Sequence, residues 1–229
     1  YITQGGVECF DDDTMKVFVN PLPNIVLGTD ESVCCDYGPI SLGFKLTTPA
    51  GNPTTGFWSC TSTPSLISGG TFDTDAGCGL IVAPAASIDK YAVYTYTEPN
   101  TLCVNKDSIR ITINSLPKMI LQDRVYCQDI GAIRLDDDVV ISPSNTSLGS
   151  PSWKCLDSNS TNNRFFADML ENRGSQFAPD YWLKLDESVY TIQNSNTDTI
   201  VLEFTYVNRF GCRAKDTVSI EVSKVPKLT

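Results

Sequence analysis

The stretch CVNKDSIRITINSLP, Cys103 to Pro117, decides the fold. Ile109, Ile111 and Ile113 alternate with polar residues, which is the period of a strand with one buried face. The same phrase stands earlier as CFDDDTMKVFVNPLP, Cys9 to Pro23, and later as CRAKDTVSIEVSKVP, Cys212 to Pro226. In each copy 14 positions separate the cysteine from the closing proline. Asp13, Asp107 and Asp216 take the fourth position after the cysteine, and Thr14, Ser108 and Thr217 follow them. Alternating apolar residues come next: Met15, Val17, Val19; Ile109, Ile111, Ile113; Val218, Ile220, Val222. The phrase returns after 94 residues and again after 109, so the chain is a tandem array.

Other landmarks recur in the same order. Cys34-Cys35-Asp36 and Pro39-Ile40-Ser41-Leu42 match Cys127-Gln128-Asp129 and Ala132-Ile133-Arg134-Leu135. Trp58-Ser59-Cys60 matches Trp153-Lys154-Cys155, and Tyr94-Thr95-Tyr96 matches Phe204-Thr205-Tyr206. Each unit therefore reads as follows: a first strand (24–28 or 118–122), a cysteine-bearing corner, a second strand (40–46 or 133–141), a tryptophan strand, and Gly- and Asn-rich loops. A Tyr-rich strand, a cysteine-bearing turn and the closing strand complete it. Many short strands with buried Trp and Tyr indicate an all-β fold of tandem immunoglobulin-like or PKD-like sandwiches. Residues 1–21 read as the last hairpin of a preceding unit, 22–115 as one unit, and 116–229 as a second. Stiff Leu-Pro joints link them. The second unit carries an insertion near 163–173. There Phe165, Phe166, Met169 and Leu170 share one helical face, Asn162 or Asn163 can cap the start and Gly174 the end, so a short packed helix is expected.

Composition narrows the function. A net charge of −10 repels polyanions and argues against nucleic acid as a partner. No apolar run reaches the length of a membrane span. No signal peptide opens the sequence, which reads as starting inside a domain. The chain has no histidine, so Ser-His-Asp and Cys-His catalysis have no base. The acidic runs Asp11-Asp12-Asp13 and Asp136-Asp137-Asp138 read as solvated turns rather than a catalytic carboxylate pair. No enzyme is expected. No cofactor or metal is assigned, although Asp11, Asp12, Asp13, Asp73, Asp75 and Asp136–Asp138 supply hard oxygen ligands that suit calcium.

Nine cysteines without a CxxC pair point to disulfides and an oxidising, extracellular compartment. They are Cys9, Cys34, Cys35, Cys60, Cys78, Cys103, Cys127, Cys155 and Cys212. Two pairings are open. The recurring cysteines can close within each unit, Cys34 or Cys35 with Cys103 and Cys127 with Cys212; the recurrent spacing favours this. They can instead bridge neighbours, Cys34 or Cys35 with Cys212. Cys9 needs a partner outside this segment either way.

With Leu-Pro joints, "SVC…PISL", "GGTFDTDAG", "YAVYTYT" and "LC…KDSIRITINSLP" on the page, the sequence resembles the tandem Ig-like or PKD-like repeats of giant Bacteroidota surface adhesins, including gliding-motility adhesins exported by type IX secretion. The resemblance covers nearly the whole chain. Many such repeats place glycine after the Trp-Ser pair, whereas Cys60 and Cys155 stand here. Cys78 is a further departure, so an extra Cys60–Cys78 crosslink is expected. The resemblance implies an interior piece of a longer chain at the cell surface. It also implies that Asp-Ser/Thr-apolar triplets accept O-glycans, at Thr14, Ser108, Thr199 and Thr217. The aspartate of each triplet is expected at a turn, before its strand begins.

The functional expectation is a structural and adhesive segment: a rigid, disulfide-stapled rod for surface attachment or gliding. Its partners are other repeats of the same chain, surface glycans or neighbouring filament chains. The alternative is a carbohydrate-binding accessory module of a secreted enzyme, with Tyr37, Tyr181 or Trp182 as candidate sugar contacts.

Overall fold

The computed structural model describes residues 2–4, 7–9, 13–49, 55–61, 65–81, 86–142, 149–156, 169–175, 179–185 and 197–226. A hairpin, β1 (Ile2–Gln4) with β2 (Val7–Cys9), opens the chain. Met15, Val17, Phe18 and Val19 then run exposed with no strand partner. Their alternation predicts a strand. In the two units below, however, the matching residues pair along an 11-residue neighbour, and no such neighbour lies beside these among the described residues. An isolated alternating segment has no face to bury.

The first unit uses β3 (Val26–Leu27), β4 (Glu31–Cys34), β5 (Ile40–Ser41), β6 (Leu46–Thr48), β7 (Gly56–Cys60), β8 (Ile67–Ser68), β9 (Thr71–Phe72), helix α1 (Thr74–Cys78), β10 (Ser87–Thr97) and β11 (Val104–Asn114). One sheet has the order β4-β11-β10-β7; facing it are β3-β6 and β5-β9-β8. The second unit repeats this plan with β12 (Lys118–Leu121), β13 (Arg124–Cys127), β14 (Ala132–Arg134), β15 (Val139–Ser142), β16 (Ser150–Cys155), β17 (Leu170–Asn172), β18 (Tyr181–Lys184), β19 (Thr197–Val207) and β20 (Arg213–Ser223). Its sheets are β13-β20-β19-β16, β12-β15 and β14-β18-β17. In both, the short strand after the first bend pairs parallel to the last strand, β4 with β11 and β13 with β20.

Each unit has its own core. Val33, Ile40, Leu42, Leu66, Phe72, Ala92, Ile109, Ile111 and Ile113 bury together in the first. Ile133, Leu135, Trp153, Met169, Leu183, Leu185, Ile200, Leu202, Phe204, Val218, Ile220 and Val222 do so in the second. The alternating isoleucines supply the inward face, as the period of two requires.

Two expected elements differ. The second strand of each unit is broken by a 3-10 turn, Leu42–Lys45 or Leu135–Asp138. In the first unit the chain leaves β9 as partner and takes up β3, and the buried Leu42 plugs the bend. In the insertion, residues 157–168, which hold most of the expected helix, lie outside the described residues; Met169 is helical and buried, and the chain passes straight into the strand Leu170–Asn172, so only the last residues of the expected helical stretch differ. Leu170 faces Leu183 across the β17–β18 pair, so edge pairing with a buried strand overrides the helical spacing.

The tryptophans expose a difference between the repeats. Trp153 donates its indole N–H to Asp136 Oδ1 at 3.2 Å, and Asp136 Oδ2 also accepts from Tyr181 N at 3.2 Å. The matching residue in the first unit is Gly43, and the Trp58 indole nitrogen is buried without a partner. A Cβ on Gly43 would meet only Ser41 Oγ, at 4.0 Å. Gly43→Asp is therefore expected to raise the stability of the first unit by about 1 kcal/mol, since an orphaned buried donor gains an acceptor. Thermal unfolding of the variant checks this; no rise, or a fall, counts against it.

Candidate functional site

The site is the joint between the units. The first unit contributes the end of β11 and the corner after β4, where Cys34 stands opposite Asn114 in the parallel register. The second contributes the turn between β19 and β20. Asn208 organises that turn: its Oδ1 accepts from Phe210 N and Cys212 N, each at 3.0 Å. Its Nδ2 donates across the joint to Ser115 O at 3.0 Å. Cys212, wholly buried, is bonded to Cys34 with a Cα–Cα distance of 5.5 Å, inside the ordinary disulfide range. Among the described residues the Cys34–Cys212 bond, the Asn208–Ser115 hydrogen bond and the short Ser115-Leu116-Pro117 link thus hold the two ends together.

Asn208→Ala removes the acceptor for two turn amides and the donor to Ser115. We expect it to cost about 1–2 kcal/mol. The Cys34–Cys212 bond should then be reduced faster by a mild thiol, and an unchanged reduction rate would speak against this role.

Closure within units, as the spacing favours, is overturned. Cys103 precedes β11 and Cys34 lies opposite its far end. Eleven residues of strand separate those levels, about 35 Å at the usual rise. The same geometry separates Cys127 from Cys212. A Cys60–Cys78 bond is also replaced: Cys78 bonds Cys35, with Cα atoms 5.4 Å apart. Helix α1 brings Cys78 there. Asp73 caps its start by accepting from Ala76 N at 3.0 Å, and Thr74 Oγ1 donates to Gly38 O at 2.7 Å. Cys60 and Cys155 lie half-buried at the ends of β7 and β16. Cys103 and Cys127 are in no disulfide. The side chain of Cys9 lies outside the described residues.

The aspartates are spread through the fold. Asp11 and Asp12 lie outside the described residues, and Asp13 is exposed. Asp73 caps α1 with Asp75 in its first turn, Asp136 holds Trp153 and Tyr181, and Asp137 pairs with Arg134 at 3.1 Å. Among the described residues no group of three or more His, Cys, Asp or Glu side chains can hold a metal ion.

Thr14, Ser108, Thr199 and Thr217 are all exposed. Asp107 and Asp216 stand inside β11 and β20 rather than at the preceding turn. Each accepts from the next residue's amide, at 2.8 Å from Ser108 N and 2.9 Å from Thr217 N. A second pair of aspartates escaped the sequence reading. Asp30 Oδ1 accepts from Arg110 N at 2.9 Å, and Asp123 Oδ1 accepts from Ser219 N at 2.8 Å. They serve strand amides just beyond the reach of the short parallel partner. Each precedes its corner cysteine by four positions, a recurrence that could have revealed them.

Of the aromatic candidates, Tyr37 is exposed, whereas Tyr181 and Trp182 are half-buried. The Arg173 guanidinium lies 4.5 Å from the Trp182 ring centre, so that face is occupied by a cation–π contact.

Around this ring lies an ionic network. The Trp182 indole N–H and Arg134 hold the Asp180 carboxyl below its ordinary range, and Arg173 and Lys184 do the same for Glu171. A lowered folded pKa contributes stability that is present above the unfolded value and lost as pH falls through the folded one. The second unit should therefore lose stability on acidification below about pH 4, where free carboxylates titrate. Asp180→Asn should flatten that limb of the thermal-stability profile; an unaltered profile would contradict the assignment.

No protein-family model matches the chain, and no curated protein matches it. Three solved structures show the range of its structural likenesses. Human mucin-like protocadherin EC1-2 is 9% identical, with 90% of this chain and 100% of that one covered and a TM-score of 0.31. Drosophila N-cadherin EC1-4 is 11% identical, covering 90% and 50% with a TM-score of 0.35. Titin I-band fragment I67-I69 is 10% identical, covering 90% and 67% with a TM-score of 0.34. Scores this low carry no argument about function. The two cores and their strand pairing make this an all-β chain of tandem immunoglobulin-like sandwiches.

Proposed function

We propose that the chain is a structural and adhesive segment of a long extracellular surface protein or filament, whose work is to hold its repeats end to end. The units are residues 22–115 and 116–229, with 1–21 belonging to a preceding unit. The Cys34–Cys212 bond carries this reading, because it is made between units at the ends where they meet. A binding module needs a shaped ligand site, whereas a spacer needs a stiff joint. The chemistry of the chain suits the second: no histidine, dispersed carboxylates engaged in hydrogen bonds, and two cystines in the first unit and its joint. Among the described residues no helix is long and apolar enough to cross a membrane. Attachment to a surface or gliding is the role that the sequence resemblance supports.

Small-angle scattering of the oxidised chain tests the reading. One elongated shape, bending only after reduction, is the expected result. A broad range of interunit angles with the bond intact would overturn it. Specific retention on a glycan array would favour the accessory-module alternative instead. O-glycans on Thr14, Ser108, Thr199 and Thr217 are part of the proposal, and an intact mass equal to the bare polypeptide from the native source would remove them.

A further inference from the structure

The joint has two halves, and each unit carries both. Cys127 ends β13 opposite Ser223, as Cys34 ends β4 opposite Asn114. Cys103 follows the β10–β11 turn as Cys212 follows the β19–β20 turn. A bond to the cysteine carbonyl closes both turns, although the first, 98–103, is one residue longer than the second, 208–212. Glu98 N donates to Cys103 O at 2.9 Å, and Asn208 N to Cys212 O at 2.9 Å. Leu102 N donates to Glu98 O at 2.8 Å, and Gly211 N to Asn208 O at 2.9 Å. The residue before the cysteine has positive φ in both, 58° at Leu102 and 81° at Gly211. The closing bond to the cysteine carbonyl and the positive-φ residue before the cysteine are common to both turns, so Cys103 stands at its end of the first unit as Cys212 does at its end of the second. Two units in series form one corner-to-hairpin bond. They leave one hairpin cysteine, Cys103, and one corner cysteine, Cys127, outside any disulfide. Apolar side chains lie exposed beside both, Leu102 at 74% and Ile130 at 49%.

We propose that Cys103 and Cys127 are the open ends of a repeating ladder of unit-to-unit disulfides. In this ladder Cys127 bonds the hairpin cysteine of a following unit of this same repeat, and Cys103 bonds the corner cysteine of a preceding one. The inference rests on the rod reading and deepens it. Each bond forms by thiol–disulfide exchange with a small disulfide oxidant such as oxidised glutathione. The two protein thiols lose two protons and two electrons, the oxidant's S–S bond breaks, and it departs as two thiols. The closed loops overlap, because Cys127 lies inside the segment that Cys34–Cys212 closes. A single backbone cut between those two cysteines then leaves the rod covalently continuous.

A tandem duplication supplies the missing neighbour. Joining residue 226 of one full chain to residue 24 of a second repeats the natural link, since Lys224-Val225-Pro226 matches Ser115-Leu116-Pro117. Cys9→Ser and Cys103→Ser in the first copy, with Cys127→Ser in the second, leave one open corner cysteine, Cys127 of the first copy, and one open hairpin cysteine, Cys103 of the second. After oxidation in a glutathione buffer, trypsin should yield Val125–Arg134 of the first copy crosslinked to Tyr91–Lys106 of the second, and both thiols should vanish from alkylation. If Cys34–Cys212 forms in each copy while Cys103 and Cys127 stay alkylatable, the ladder is overturned and the rod reading stands. If Cys34 is instead found bonded within its own unit, both fall.

Discussion

Pulled by its two ends, the oxidised chain should extend hardly at all between Cys34 and Cys212. Those cysteines are 178 residues apart in sequence, yet their Cα atoms are 5.5 Å apart. Cys34 lies near the start of the first unit and Cys212 near the end of the second. Tension therefore enters at Cys34, crosses the sulfur–sulfur bond and leaves at Cys212, and almost all of both sandwiches hangs off the line of force. Only the segments outside the loop can be drawn out, and β20 can be peeled but adds few residues. Reduction returns the whole loop to the load path. Unfolding both units then releases on the order of 600 Å of contour, at about 3.4 Å per residue. Cys34→Ser with Cys212→Ser should behave as the reduced chain does under any redox condition. Single-molecule pulling through terminal handles reads this directly. A full-length extension from chains verified as oxidised would show that the bond does not carry the load. No contact energy is invoked here, because the effect follows from connectivity alone, which makes it the largest change expected of any two-atom edit to this protein.

That bond also marks where sequence reading stopped. Alternation at Ile109, Ile111 and Ile113 was enough for the closing strand, because period two depends only on neighbours along the chain. The repeat placed the tryptophan and tyrosine strands for the same reason. Cysteine pairing depends on which end of an 11-residue strand each thiol occupies, and recurrence says only that a thiol recurs. Recurrent spacing favours closure within a unit because it counts residues and ignores the end of the strand at which each thiol sits; the length of β11 excludes that closure. The break after Ser41 was hidden because Leu42 is apolar in either conformation, and only its change of partner from β9 to β3 marks the bend. At Leu170, helical spacing and strand pairing competed for the same apolar residues. Asp30 and Asp123 were legible in principle, since they recur, but their role needs the parallel partner to end where it does.

Independence of the two cores leads to the other large effect. Phe204 is buried in the second core, with its ring centre 4.8 Å from that of Trp153, and its backbone lies opposite Asp216 in β20. Truncation to alanine removes the ring from a core that also buries Trp153, Leu202 and Tyr206. A loss of about 3–5 kcal/mol is expected for such a change. That is a large share of the 5–15 kcal/mol that holds a typical domain folded. The first core shares no residue with the second. In the reduced chain, Phe204→Ala should therefore lower one thermal transition sharply and leave the other within about 0.5 kcal/mol, the scatter expected of uncoupled sites. In the oxidised chain the outcome differs in kind. An unfolded second unit stays tied at Cys212 to the corner of the first, which shortens its unfolded ensemble and offsets part of the loss. The second unit should thus be more stable oxidised than reduced, by about the same amount in the wild type and in Phe204→Ala. Equal stabilities in the two redox states would mean that the staple fixes only the joint and not the folding of what it joins. A single shared transition in the reduced chain would mean that the two sandwiches fold as one body.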